Sequence, residues 1–208
     1  MYHTILSAIA LGDGKLHSVY KRSSVSDQVG DNAVEDLVEK GIIKVTKVKN
    51  ADDRLYFTTP FLRFWFAFVS PLFKGVRDGD YKEVQERWEN KKNEFFQETF
   101  VRLSHELLRK TLKEKQIMKL SQYYDETNSF EIYANTKEKK IIFGSVKYTN
   151  NKVKKSELTK LQTQAQKAEF DVDTFVIISK KGFSSELKSQ KGGKLKLFTL
   201  KNFKSLVE

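Results

Sequence analysis

Two neighbouring stretches of the chain have the residue spacing of a metal-dependent nuclease site. The segments Phe130–Ala134 and Ile141–Tyr148 are predicted to be buried strands. In such a site an acid on one strand faces an acid-x-lysine pair on the next, and the carboxylates hold Mg²⁺ or Mn²⁺, which activates water for attack on a phosphodiester. Here the two acid positions are Tyr133 and Ser145, and only Lys147 is retained. The spacing therefore indicates the frame of a nuclease without its metal ligands.

Glu131 is the acid nearest to the missing strand position. It lies two residues before Tyr133, so both side chains would share one strand face, about 6–7 Å apart along the strand. A site made of Glu131 and Lys147 alone would contain a single carboxylate. Catalytic Mg²⁺ is usually held by one or two carboxylates together with phosphate oxygens of the substrate, so this site would be at the lower limit. We therefore expect no metal and no cofactor. A relocated nuclease site built on Glu131 is one alternative, and an ordinary solvated or lysine-paired glutamate is the other.

The overall composition is that of a globular chain. Of its 208 residues, 39% are hydrophobic and 12% are aromatic, which excludes a disordered chain. Cysteine is absent, so disulfides and thiolate metal sites are excluded, and the three histidines are isolated from one another. The sequence has no run of eighteen apolar residues and no signal-peptide pattern, so we expect a cytoplasmic protein without membrane contact.

The net charge of +11 is concentrated in the last third of the chain. From Tyr133 to Glu208 there are seventeen lysines, no arginine and seven acidic residues, a balance of +10. This asymmetry favours nucleic acid as a partner, with a solvated lysine-rich surface as the alternative. Lysine without arginine is suited to phosphate contact rather than to base recognition, so we predict non-specific binding, with DNA as the first expectation. The candidate contacts in this region are Lys147, Lys152, Lys154, Lys155, Lys180, Lys181, Lys191 and Lys194.

The first 58 residues have the pattern of a winged helix. Apolar spacing predicts two short helices and a third that begins near Asp27 and buries Val29 and Val38 among its apolar residues. Two strands follow, over Ile42–Val48 and Arg54–Thr58. Three helices followed by a β-hairpin is the element order of a winged helix, a variant of the helix-turn-helix.

The third helix would be the DNA-reading helix of such a domain, yet it carries five acidic residues and a single lysine. Phosphates would repel that face. We therefore expect the first domain to contact protein, either an ATPase, another partner or a second copy of the chain as a homodimer. Contact of the wing with a DNA backbone, through Lys47, Lys49 and Arg54, is the alternative.

A helical linker is predicted after the hairpin. Phe61–Val69 is apolar nearly all round, which predicts a buried helix, and Pro71 would end it. Two further helices are predicted over Tyr81–Asn90 and Glu94–Leu112. After these the period of the apolar residues changes from that of helices to that of strands.

The last part of the chain reads as three strands, a helix, a strand, a short helix, a strand and a final helix from Lys201. This order is the one expected of a restriction-endonuclease-like core. The predicted fold class is therefore α/β (α+β overall), with a winged helix over 1–58, a helical linker over 59–92 and a restriction-endonuclease-like mixed-sheet α/β domain over 93–208.

Four phrases of the chain resemble phrases of one known family. Tyr56–Val69 (YFTTPFLRFWFAFV) resembles the signature that follows the ATPase module in the archaeal and bacterial ATPase family of the AAA/STAND type. Phe100–Leu108, Phe130–Lys147 and Thr174–Leu187 resemble three later phrases of the same family, in the same order. The resemblance implies a C-terminal region of uncharacterised function with a PD-(D/E)XK-like fold.

Carried over position by position, the resemblance places the helix acid at Val101, the strand acids at Tyr133 and Ser145, and the lysine at Lys147. All three acids are replaced, and no ATP-binding motif occurs in this sequence. The resemblance therefore implies a pseudonuclease, and we expect a non-catalytic module that binds nucleic acid. A module that docks an ATPase or another protein, and a nuclease with relocated acids, are the two alternatives.

Overall fold

The computed structural model describes the chain in four stretches, which are residues 1–12, 14–46, 52–124 and 129–207. These residues form eight α-helices, a five-stranded mixed sheet and a two-stranded sheet, so the predicted α/β class is confirmed. The chain divides into two compact units, Met1–Phe95 and Phe96–Glu208. The division into three segments inferred from the sequence stays a prediction. Within the described stretches, no helix is both long and apolar enough to cross a membrane.

The first unit begins with the predicted series of three helices and a hairpin. The two strands of the hairpin pair antiparallel. The elements are α1 (Tyr2–Leu11), α2 (Leu16–Ser23), α3 (Asp27–Glu39), β1 (Ile43–Thr46) and β2 (Arg54–Phe57). Arg54 lies in β2, whereas Lys47 and Lys49, the other two predicted wing contacts, lie outside the described residues.

The predicted buried face of α3 is confirmed at Ala33, Val34 and Leu37 and was wrong at its two outer valines. Val29 and Val38 are 42% and 40% exposed. The buried face of α3 begins at Gly30 instead of Val29 and ends at Leu37. The ring of Tyr20 packs against that glycine so closely that an added Cβ would lie 2.6 Å from it. Apolar spacing could not reveal this contact, since glycine carries no side chain.

The predicted buried helix of the linker is also different in the structure. α4 (Pro60–Phe64) is followed by a π-helical turn over Trp65–Val69. Phe61 is 67% exposed, and only Ala67 and Phe68 of this stretch are buried. An apolar sequence all round the helix predicted burial on every side, whereas the first unit covers one side only.

The helical turn ends at Val69, just before Pro71 as predicted, and the linker continues beyond this proline. A 3₁₀ turn contains this proline and leads into α5 (Phe73–Arg77). Proline is tolerated at the beginning of a helical turn, because the amide hydrogen it lacks would have no partner there.

The two helices predicted over Tyr81–Asn90 and Glu94–Leu112 are one helix of thirty residues, α6 (Lys82–Thr111). The charged stretch between the two predicted ranges is helical and is stabilised by ion pairs at three-residue spacing. Lys91 Nζ lies 3.2 Å from Glu94 Oε1, and Lys92 pairs with Glu89 in the same way. Such pairs stabilise a helix on its solvent side.

The second unit is built around a sheet with the strand order β3-β4-β5-β6-β7. β3, β4 and β5 are antiparallel, and β5, β6 and β7 are parallel. The strands are β3 (Ile117–Tyr124), β4 (Ser129–Thr136), β5 (Ile141–Lys147), β6 (Val172–Ser179) and β7 (Leu195–Thr199). The parallel strands are connected by α7 (Lys155–Lys167) and α8 (Ser185–Ser189). The final helix predicted from Lys201 is a 3₁₀ segment, Leu200–Leu206.

Two hydrophobic clusters cover the two faces of this sheet. Ile142 and Val146 of β5 pack in one cluster with the end of α6. Phe143 packs in the other cluster with Leu158 and Leu161 of α7. Because successive strand residues point to opposite faces, the odd-numbered residues of β5 lie on the side of α7.

Candidate functional site

The ends of β4 and β5 bring the carboxylate of Glu131 close to Lys147. Tyr133 pairs with Phe143, and the pairing continues to Ile132 and Gly144, directly before Glu131. Glu131 Oε2 lies 3.0 Å from the amide nitrogen of Val146, the residue between Ser145 and Lys147. Ser145 and Lys147 are odd-numbered residues of β5, so their side chains lie on the face that α7 covers.

The carboxylate of Glu131 is held by the backbone of the neighbouring strand. The amide of Val146 donates to Glu131 Oε2 at 3.0 Å. His105 Nε2 of α6 lies 2.5 Å from the backbone carbonyl oxygen of Glu131. Burial raises the pKa of the Glu131 carboxyl above its ordinary value, and the charge of Lys147 opposes that shift. These contacts make Glu131 a half-buried acid whose carboxylate already has a structural partner.

Lys147 forms an ion pair that the sequence analysis missed. Its Nζ lies 3.1 Å from Oε1 of Glu157, which is in the first turn of α7. The two side chains are 29% and 18% exposed, so water screens the pair only in part. The negative charge of Glu157 also contributes to the raised pKa of Glu131, so the three charged groups interact.

The positions carried over for the three missing acids do not meet at one place. Val101 is 4% exposed and packs in the cluster on the α6 side of the sheet. Tyr133 lies on the opposite side, where its ring centroid is 5.3 Å from that of Phe170. Ser145 is fully buried, and its Oγ has no hydrogen-bond partner among the residues that the structure describes.

The side chains near Lys147 do not fit a hard divalent cation. Mg²⁺ requires a near-octahedral set of oxygen ligands. Glu131 Oε2 accepts a backbone hydrogen bond, and Glu157 Oε1 is paired with the ammonium of Lys147. Across the described ranges, no group of three or more histidine, aspartate or glutamate residues is placed to hold a metal ion. The carboxylate oxygens near Lys147 are therefore already paired with an ammonium or a backbone amide and are not arranged as ligands of a metal ion.

A second group of charged residues lies where β5 and β6 end. The backbone amide of Lys180 donates to the carbonyl oxygen of Lys147 at 3.0 Å. Lys180 Nζ lies 4.2 Å from the ring centroid of Tyr148 and donates to Asn150 Oδ1 at 3.2 Å. The ammonium of Lys180 is therefore held in position by a cation–π contact and a neutral acceptor.

The loops that follow β5 and β6 are joined by backbone hydrogen bonds. Val153 N donates to Gly182 O, and Ser184 N donates to Val153 O, both at 2.9 Å. This pairing brings the lysines of the two loops to the same end of the sheet, where β5 and β6 finish. We call the group the lysine edge, and it consists of Lys152, Lys154, Lys180 and Lys181.

The lysine edge differs from its neighbours in lacking acidic partners. Lys147 pairs with Glu157, and Lys155 Nζ lies 3.4 Å from Glu186 Oε1. None of the ion pairs formed within the described stretches involves a lysine of the edge. The charge of these four lysines is therefore uncompensated by a direct contact.

Two of the predicted lysine contacts lie elsewhere. Leu195, at the start of β7, pairs with Phe175 near the start of β6, and the carbonyl oxygen of Lys194 accepts from Phe175 N at 2.8 Å. Lys191 and Lys194 are therefore at the opposite end of the sheet from Lys180. The eight lysines predicted from the sequence do not form one surface.

One family model matches a part of the chain. Residues 65–161 match the profile of DUF234, archaeal and bacterial proteins of unknown function. No curated protein matches the chain. A solved structure, protein VC1899 from Vibrio cholerae, is similar at 12% identity and a TM-score of 0.35, over 99% of this chain and 49% of that one. The chain thus spans about half the length of that structure. Residues 65–161 of the chain are therefore similar to DUF234 domains.

Proposed function

We propose that the second unit is a non-catalytic module with a degenerate nuclease fold, and that it binds the phosphate backbone of nucleic acid at the lysine edge. The observation that carries this proposal is the meeting of four lysines without acidic partners at the carboxyl ends of two adjacent parallel strands. Ligands of α/β sheets bind outside the carboxyl ends of strands. A phosphate backbone is a ligand of the matching charge.

The charge and the chemistry of the edge favour phosphate contact over base recognition. Lysine is a compact point charge, whereas arginine offers the planar, bidentate geometry that recognises guanine. Lys180 is already fixed by Tyr148 and Asn150, so less conformational entropy is lost when a phosphate binds. If all four lysines contact phosphates of a duplex, the slope of log affinity against log salt would be about −3.6.

The absence of catalysis follows from the residues at the strand positions. Tyr133 packs among aromatic rings, Ser145 is buried, and Glu131 and Glu157 are engaged by a backbone amide and by Lys147. A degenerate PD-(D/E)XK fold is supported by the element order of the second unit, which is a helix, three antiparallel strands, a helix and a parallel strand. Descent from an AAA/STAND-type ATPase rests on the resemblance of the sequence phrases alone.

A titration of labelled duplex and single-stranded DNA tests this function. Affinity is measured by fluorescence anisotropy from low to physiological salt, in EDTA and in Mg²⁺ or Mn²⁺, and the same samples are examined for cleavage. We expect salt-sensitive binding, equal in EDTA and in metal, with intact DNA. Absence of binding at low salt would refute the proposal. Cleavage that requires metal would instead favour a nuclease with relocated acids.

A second candidate function, protein docking, is favoured by a feature of the first unit. α3 carries four acids at four-residue spacing along one side, which are Asp27, Asp31, Glu35 and Glu39. Like charges at this spacing destabilise a helix, so helix stability does not explain the pattern. It would also repel phosphates, which argues against DNA reading by α3 even if the three helices and hairpin form a winged helix.

Self-association is the first form of docking to test, because the lysine-rich second unit of another copy has the complementary charge. Sedimentation velocity at low salt would show a dimer that dissociates as the salt concentration rises. The double substitution Glu35→Lys/Glu39→Lys would abolish it, and the neutral change Asn32→Gln on the same helix would not. A wild-type chain that stays monomeric at every concentration would contradict self-association.

A further inference from the structure

We propose that the ammonium of Lys147 takes the place of a divalent cation between Glu131 and Glu157, and that this unit therefore binds nucleic acid without a metal. The second half of this statement rests on the proposed function of the lysine edge. The first half concerns these three side chains and is tested without nucleic acid.

The position of Lys147 is the first argument. Its Nζ lies 3.1 Å from Glu157 Oε1. Glu131 Oε2 lies 3.0 Å from the amide nitrogen of Val146, the residue that precedes the lysine. The ammonium of Lys147 is therefore paired with one carboxylate and lies one residue from the backbone amide that holds the other.

The remaining ligand capacity is the second argument. Glu131 Oε2 is used by the amide of Val146, which leaves one oxygen on each carboxylate. Ser145 adds a neutral hydroxyl that is buried and without a partner. A hard cation gains most from several anionic or carbonyl oxygens, and this set offers too few while Lys147 remains. Ser145 stands where an acid would have completed the set.

Removal of the Lys147 ammonium should make the oxygens of Glu131 and Glu157 available to a divalent cation. In Lys147→Gln the carboxylates of Glu131 and Glu157 lose the positive charge that acts on both, and two half-buried carboxylates without a counter-charge are costly unless a cation joins them. The substitution should therefore create a cation site that the wild-type protein lacks. Lys180→Gln is the matched control, because Lys180 lies on the neighbouring strand end and has a neutral acceptor instead of an acid.

The test is a titration of the full chain with MnCl₂. Binding is measured by isothermal titration calorimetry and by the electron paramagnetic resonance signal of Mn²⁺. We expect no saturable binding by wild type or by Lys180→Gln, saturable binding by Lys147→Gln, and its loss again in Lys147→Gln/Glu157→Gln. Circular dichroism establishes that each variant is folded. A failure of Lys147→Gln to gain binding would overturn the proposal.

The wild-type measurement decides the matter even if a variant does not fold. Saturable Mn²⁺ binding by wild type that is lost in Glu157→Gln would overturn the proposal and identify a metal site. The outcome is separate from that of the proposed function, since a chain that binds no DNA could still show the expected Mn²⁺ results. A chain that binds DNA only in the presence of Mn²⁺ would overturn the metal-independent half alone.

Discussion

Lys147, the last residue of β5, forms an ion pair of 3.1 Å with Glu157 in the first turn of α7. Lys147 is the one residue retained from the nuclease spacing, and this contact neutralises it. The charge available to a phosphate backbone at this end of the sheet is therefore that of the lysine edge. The pair also ties the end of a strand to the start of the helix that follows it.

A double-mutant cycle should reveal the energy of this pair. Because both side chains are less than a third exposed, we expect a coupling free energy of about 1 kcal/mol between Lys147→Met and Glu157→Gln. Urea unfolding followed by circular dichroism gives the four stabilities. The cycle of Lys155 and Glu186, whose side chains are 46% and 66% exposed, is the comparison and should give a smaller coupling. Equal couplings would contradict a special role for the first pair.

A single substitution at the lysine edge should change the salt dependence of DNA binding. Lys180→Gln removes one fixed ammonium, so the slope of log affinity against log salt should become shallower by about 0.9. Lys191→Gln, at the other end of the sheet, should leave the slope unchanged. The measurement is fluorescence anisotropy at several salt concentrations. If both variants changed the slope equally, net charge rather than this edge would determine binding.

Gly144 should be intolerant of any side chain. In the structure a Cβ on this residue would lie 2.0 Å from the backbone carbonyl oxygen of Val176 in the adjacent strand. Gly144→Ala must push two paired strands apart, and we expect a loss of about 2–4 kcal/mol of unfolding free energy.

Gly193→Ala is the control for this prediction. Nothing lies within 4 Å of its Cβ position, so its effect should stay within about 0.5 kcal/mol. Urea unfolding compares the two variants. A Gly144→Ala protein as stable as wild type would show that β5 and β6 are not packed as described.

Glu131 should make stability depend on pH in a direction opposite to that of most carboxyl groups. Burial raises the pKa of its carboxyl, so the folded state binds this proton more tightly than the unfolded state does. The contribution of Glu131 to stability is fully present below the ordinary glutamate pKa and is lost as the pH rises through the raised value.

The comparison of wild type with Glu131→Gln isolates this contribution. In the pH window from the ordinary glutamate pKa to the raised one, wild type should lose stability relative to the variant as the pH increases. Asp173 titrates in both proteins and has a lowered pKa because Thr174 and Lys115 donate to it, so its opposite effect cancels. A constant difference between the two unfolding free energies across the window would refute the prediction.

The elements of the second unit could be predicted from local patterns. The last strand of the predicted order is observed as Leu195–Thr199, a short apolar run that follows the turn residues Gly192 and Gly193. The buried face of α3 could not be predicted in the same way, since it depends on the contact between Gly30 and Tyr20. Spacing along a helix describes which residues are aligned, and packing decides which of the aligned residues are covered.

The candidate site was predicted in part. The sequence indicated Glu131 and Lys147, and in the structure the carboxylate of Glu131 is held by the amide of Val146, the residue next to Lys147. Glu157 was missed because it approaches Lys147 only after the chain has turned from β5 into α7. The separation of Lys191 from Lys180 had a signal in the sequence. Residues that precede one parallel strand lie at the opposite end of the sheet from residues that follow another.

The most direct test of the account compares two variants with equal changes in net charge. In the first, the four lysines of the lysine edge are replaced by glutamine. In the second, four lysines away from the edge are replaced by glutamine, and these are Lys188, Lys191, Lys194 and Lys196. The affinity for duplex DNA is then measured by fluorescence anisotropy at low salt. We predict that the first variant loses binding and that the second binds as wild type does. Equal affinities of the two variants would show that the lysine edge is not the surface that binds DNA.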